Sequence, residues 1–327
     1  MNDSLHESAA SPAQISYQHL GFGITCIDTL LHRPGLACCY LIEHEGMAGF
    51  IDTGTNNSIP ILLEVLRRKG ISRERVAYIM PTHVHLDHAG GCGGLMQEFP
   101  NAELLVHPRG ARHLIDPARL VQGSLKVYGP ADLADKFGEL LPVASDRVRE
   151  MPDESELDFN GRKLLFLDTP GHARHHYCLY DELSQGVFTG DSFGASYPEL
   201  NSGRARFIFP PSTPVQFDPP VWIATLDRLM SFKPSRIFVT HFGMHEEVDV
   251  LGEQLKRGIK DYADTALEFV AAENREERIC QAILQASINY LLDQHCGLDV
   301  PAIKQLIQLD MELNAKGLEH WLVTQES

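Results

Sequence analysis

Hydrophobic and polar positions alternate with the short period of β-strands over residues 21–52, where Ile24–Ile27, Ala37–Ile42 and Ala48–Ile51 are separated by Gly and Pro turns. That pattern predicts an antiparallel meander. Ile61, Leu62, Val65 and Leu66 then recur at helical spacing within 58–69, with Ser58 placed to cap and Gly70 to stop. The apolar run 76–80 and the stretch Glu103–His107 read as strands, and 108–150 as a mostly helical insert broken at Gly-Pro and Leu-Pro. From Leu157 the β pattern returns: Leu157–Phe159, an Asn160-Gly161 pair suited to a type I′ turn, Lys163–Leu167, His176–Tyr180 and Gly186–Thr189. A helix near 220–232 leads to a strand at 236–240. Beyond 246 the chain is helical, with Leu251, Leu255, Ile259, Tyr262, Ala266 and Phe269 on one stripe and two further helices at 277–293 and 300–324. No internal repeat is evident.

Polar residues capable of holding a metal follow these strands directly. His83-Val-His85-Leu-Asp87-His88 crowds four such side chains into six residues after the run 76–80, and Ala89-Gly90-Gly91 follows. At a strand end alternate side chains share a direction, which sets His83 and His85 apart from Asp87 and His88. A divalent transition metal needs several imidazoles or carboxylates at about 2.0–2.2 Å, so this crowding points to a metal site. His172 after Thr169-Pro-Gly, Asp191 after Thr189-Gly, and His241 after Thr240 also sit at the ends of predicted strands. Open α/β folds place their sites there.

Composition narrows the field. A formal charge of −16, with a pI near 5.4, argues against a nucleic-acid partner. No run of about 18 apolar residues is present to span a bilayer. The first sixteen residues are polar and lack the basic start and apolar stretch of a secretory signal, so 1–16 is expected to be a disordered tail. Seven cysteines, an odd number, do not suggest a disulfide framework in a chain of this size, so a reducing cytoplasm is the expected setting.

Taken in order, Asp52-Thr53-Gly54, Thr82–Gly91, Thr169-Pro-Gly-His172, Thr189-Gly-Asp191 and Thr240-His241 resemble the signature of the metallo-β-lactamase superfamily. The resemblance covers residues 52–241. It implies an α/β fold, a four-layer αβ/βα sandwich of two mixed sheets with helices outside, over a domain 17–245. The helices of 246–327 would then be an extension packed on the core or at a homodimer contact. It also implies two divalent metal ions, zinc in the first place, with iron and manganese equally suited to imidazole and carboxylate ligands. His83, His85 and His172 would bind one ion, Asp87, His88 and His241 the other, and Asp191 would bridge them. Asp52 would support the ligand loop by hydrogen bonding. His176 falls on the second histidine of the Thr-Pro-Gly-His repeat common in hydrolytic members and would be structural; His175 stands where that repeat has glycine.

The chemistry the resemblance implies is hydrolysis of an ester-type bond in a small molecule, whether thioester, lactone or a related ester. A hydroxide held between the metals attacks, and Asp87 orients it and handles the proton. Tyr197 could meet a substrate carbonyl. The aromatic, loop-like segment 193–217, with Phe207 and Phe209, is expected to line a partly apolar pocket. Two other readings stand beside this one. The redox reading covers an iron-dependent persulfide dioxygenase and the di-iron oxygen or nitric-oxide reductases; the latter carry Glu where this chain has His85, together with a flavin segment that is not seen here. The second is a non-catalytic binding protein, a class in which ligands are commonly lost.

Overall fold

The computed structural model describes residues 15–202, 205–212 and 215–325. The expected tail lies outside these except for Ile15 and Ser16, and the Ser16 carbonyl already accepts from Asp28 N at 3.1 Å. Two compact units are present. One holds the chain up to Leu105 with Arg112–Arg149; the other holds Val106–Ala111 and everything from Glu150.

The first unit carries a seven-stranded sheet whose strand order follows the sequence. Its strands are β1 (Tyr17–Gly21), β2 (Ile24–Asp28), β3 (Cys38–His44), β4 (Met47–Ile51), β5 (Val76–Met80), β6 (Glu103–Val106) and β7 (Val148–Glu150). β1 to β4 form the predicted antiparallel meander. The sheet then turns parallel at β4–β5 and β5–β6, which requires a crossover. Helix α1 (Ile59–Lys69) lies between β4 and β5 and buries Ile61, Leu62, Val65 and Leu66, the stripe read from the sequence. Ser58 does occupy the N-cap position, but its side chain accepts from Thr55 N at 3.2 Å instead of capping α1. After β5 come α2 (Leu86–Ala89) and α3 (Cys92–Glu98); after β6 come α4 (Pro108–Ile115), α5 (Ala118–Tyr128) and α6 (Pro130–Phe137), the helical insert.

The second unit carries β8 (Ser155–Phe159), β9 (Arg162–Asp168), β10 (Tyr177–Asp181), β11 (Gly186–Gly190), β12 (Arg236–Val239) and β13 (Gly243–His245), again in sequence order. β8 to β11 are an antiparallel meander and β12 runs parallel to β11. Helix α7 (Pro219–Ser231) makes that connection, with Asp218 capping it by accepting from Val221 N. Asn160 and Gly161 both have positive φ, 53° and 94°, as a type I′ turn requires. Arg162 and Asp181, both fully buried, pair at 2.5 Å where β9 meets the end of β10.

The two units therefore repeat one connection, an antiparallel four-strand meander, a helix, then a parallel strand. The sequence concealed this repeat because the halves share topology and not residues. It has a direct consequence for the polar residues: Asp52 follows β4 as Asp191 follows β11, and Thr82-His83 follows β5 as Thr240-His241 follows β12.

The C-terminal helices are α8 (Val248–Glu268), α9 (Arg275–Asp293) and α10 (Val300–Gln325). They pack on the second unit. Tyr197 donates to Asp310 Oδ1 at 2.8 Å, Ser212 N donates to Asn314 Oδ1 at 2.8 Å, and Phe217 packs edge-on against Trp321. These contacts make the extension part of the second unit.

Candidate metal centre

In the first unit the ligand loop is stitched to the turn after β4. Thr53 N and Thr53 Oγ1 both donate to the His88 carbonyl, at 2.7 and 2.8 Å, and Gly91 N donates to Gly54 O at 3.0 Å. Asp52, fully buried and at φ 56°, reaches across this seam. Its Oδ1 accepts from Thr82 N (2.7 Å) and Thr82 Oγ1 (2.9 Å), and its Oδ2 faces His88 Nδ1 at 2.8 Å. A left-handed conformation at a non-glycine residue costs on the order of 1 kcal/mol or more, and these charge-assisted bonds offset it.

The proton positions follow from these partners. A carboxylate only accepts, so His88 carries its proton on Nδ1 and presents a lone pair at Nε2. That Nε2 lies 3.5 Å from Asp87 Oδ2. Thr82 Oγ1, whose own proton goes to Asp52, accepts from His83 Nδ1 at 3.2 Å, which leaves His83 Nε2 as a lone pair 2.8 Å from His85 Nδ1. Two imidazole nitrogens at that distance share either a proton or a cation. The sequence reading set Asp87 and His88 opposite His83 and His85. In the structure α2 begins at Leu86 and curls the loop, so the His83 ring lies 4.4 Å from His85 and also 4.1 Å from His88, between centroids.

The second unit repeats the device. His172 Nδ1 donates to the Pro211 carbonyl at 2.7 Å, so its Nε2 lone pair faces Asp191 Oδ2 at 3.5 Å. His241 Nε2 lies 3.7 Å from the other oxygen, Asp191 Oδ1. Asp191 thus turns one oxygen to each histidine. His176 Nδ1 bonds Thr169 Oγ1 (2.9 Å) and Ser192 Oγ (3.1 Å), and its Nε2 accepts from Asp191 N at 3.3 Å, so it holds the Asp191 turn. Trp222 donates from Nε1 to Ser192 O at 2.8 Å, and its ring lies 5.7 Å from that of His172.

An imidazole lone pair set against a carboxylate oxygen is a pairing of two acceptors. It becomes favourable only with positive charge between them, and the same arrangement occurs in both units. The chain thus carries His/Asp groups able to bind metal ions.

His107, His175 and His245 are three further histidines of the second unit. His175 is buried, His107 pairs with Asp168 at 3.1 Å, and burial lowers the pKa of His245, whose Nε2 donates to Phe242 O at 3.2 Å. The expected apolar pocket of Tyr197, Phe207 and Phe209 is corrected. These side chains are 1%, 5% and 3% exposed, stack on one another and on Tyr290, and the Tyr197 hydroxyl is engaged by Asp310 on α10. They are core beneath the C-terminal helices. Sequence reasoning missed Thr82, signalled only by its place before His83, and the Pro211 carbonyl, which carries no residue signature.

The sequence profile described as the metallo-beta-lactamase superfamily matches residues 32–241. A metallo-beta-lactamase fold-containing protein of Sulfurisphaera tokodaii is 30% identical over 229 residues, 68% of this chain and 79% of its own. Hydroxyacylglutathione hydrolase of Salmonella typhi is 27% identical over 152 residues, a match that takes in 46% of this chain and 45% of that enzyme. Among solved structures, a metallo-beta-lactamase family protein of Thermus thermophilus superposes with a TM-score of 0.65 at 19% identity, covering 93% of this chain and 94% of its own.

Proposed function

This chain belongs to the metallo-β-lactamase superfamily, with that α/β fold and a C-terminal helical region, and from that premise we propose that it is a metal-dependent hydrolase of ester-type bonds, thioesters first among them. The observation that carries the reading is the paired tautomer control. Asp52 and the Pro211 carbonyl each hold a histidine Nδ1–H, so that Nε2 of His88 and of His172 is presented beside a carboxylate. Ligand histidines are typically oriented this way. The thioester preference takes its support from the resemblance to hydroxyacylglutathione hydrolase.

In this reading His83, His85 and His172 would hold one cation, Asp87, His88 and His241 a second, and Asp191 would serve both. Two such cations supply Lewis acidity and bring the pKa of water towards neutrality. The chain's own residues do the rest. Asp52 and Thr82 fix the loop from behind, and His176 fixes the Asp191 turn. Asp87, with 26% of its side chain exposed beside the fully buried His88, is the carboxylate open to solvent and substrate in the first set. That exposure suits it to accept a proton from the attacking water and return it to the leaving group.

The test is metal quantification alongside a panel of thioesters, lactones, oxygen esters and phosphodiesters. The wild type should hold about two divalent ions per chain and cleave thioesters, and Asp87→Ala and His172→Ala should lose metal and activity together. Full activity in Asp87→Ala would sink the mechanism, and oxygen uptake with a persulfide but no hydrolysis would replace it with the redox reading.

A further inference from the structure

The helical insert is built onto the ligand loop itself. Leu86, the residue between His85 and Asp87, packs with Leu133 and Phe137 of α6, and Leu120, Val121 and Leu140 lie partly buried against that cluster. Two attachments hold the insert in register. Asn57 Nδ2 donates to Asp135 O at 2.9 Å, and the chain leaving α6 presses on α3 so closely that a Cβ on Gly93 would lie 1.9 Å from Leu141 O. Exposure within the loop is uneven: His83 and His88 are wholly buried, whereas His85 and Asp87 stay partly open, on either side of Leu86. His32 sets its ring edge-on to Phe137, 6.3 Å between centroids. Its pKa is lowered by burial and then by Lys136, with Asp87 opposing, so α6, His32 and Asp87 share one neighbourhood.

The side chains packed about Leu86 are apolar: Leu120 and Val121 of α5, Leu133 and Phe137 of α6, and Leu140. Lys136, the cation of α6, is paired with Asp132 at 2.8 Å, and the one remaining ionic group of that helix, Asp135, is acidic. The aromatic segment that the sequence offered for substrate recognition is packed under the C-terminal helices instead. We propose that α5 and α6 form the specificity wall of the site, selecting substrates whose scissile carbonyl carries an extended apolar acyl group, with Leu120, Val121 and Leu140 as its contact residues. The inference rests on the hydrolase reading for the reaction but not for the binding preference.

The experiment therefore reads both. Hydrolysis of acyl-N-acetylcysteamine thioesters from acetyl to octanoyl is compared with calorimetric binding of the non-hydrolysable S-ethyl and S-octyl thioethers, in wild type, Leu120→Ala and Val121→Ala, all fully metallated and with melting curves recorded. Wild type should favour the octanoyl ester and the octyl ligand. Each variant should reduce the octyl-to-ethyl ratio by about tenfold, the scale on which apolar pockets discriminate chain length. Should either variant melt early, Leu140→Met, which conserves volume, serves in its place and should shift the ratio in the same direction by a smaller factor. Folded, metallated variants that keep the wild-type ratio in both assays overturn the proposal, as does a wild type indifferent to chain length. Octyl preference in binding with no hydrolysis of any ester supports the wall and refutes the hydrolase reading.

Discussion

A histidine is a dependable ligand only when its other nitrogen has been committed, and the short side chains around Asp52 do this for the first ligand set. Asp52 accepts from Thr82 N, Thr82 Oγ1 and His88 Nδ1, three donors on one fully buried carboxylate. Asp52→Asn is nearly isosteric yet chemically wrong. In either amide orientation one NH2 is set against a donor, towards the Thr82 amide or towards His88. In the second case the His88 proton is driven to Nε2 and the lone pair is lost. Metal affinity is expected to fall by about 10–100-fold, measured by competition with a chromophoric chelator, while the circular dichroism spectrum stays native. An unchanged affinity would show that Asp52 does not govern the His88 tautomer.

Between elements, the tight contact is that of α3 with the exit of the insert. Gly93→Ala puts a methyl group into Leu141 O, a backbone atom that cannot rotate away, and should destabilise the fold by about 1–3 kcal/mol in urea unfolding. Ala at the nearby exposed Gln97 is the matched control. Most elements were legible in the sequence because their apolar period is strong: β2 to β5, the β8–β9 hairpin with Asn160-Gly161, α1 and the three C-terminal helices. β1, β7 and β13 were not, because no residue in any of them is buried, so no alternation marks them. For the candidate site, the ligand-type residues were readable as chemistry after strands. Thr82 and the Pro211 carbonyl were not, the first because threonine is common in strands and the second because a main-chain acceptor 39 residues from His172 leaves no trace in composition.

At the scale of the molecule, similarity and structure divide the chain differently. The superfamily profile ends at His241, whereas the likeness to the Thermus thermophilus structure covers 93% of the chain. The difference is met by α8 to α10, which the Tyr197–Asp310, Ser212–Asn314 and Phe217–Trp321 contacts make integral to the second unit. No described helix is long and apolar enough to cross a membrane, and no disulfide joins any of the seven cysteines. Of the chain's two tryptophans, one is Trp222, buried 5.7 Å from the His172 ring. The other, Trp321, is removed as a fluorophore by Trp321→Phe. The protein then carries its own optical gauge of loading: the emission of Trp222 should change as a divalent ion is titrated in, level off when His172 is saturated, and stay flat in the Trp321→Phe, His172→Ala double variant. Binding of an ion at His172 could then be followed in real time without a substrate.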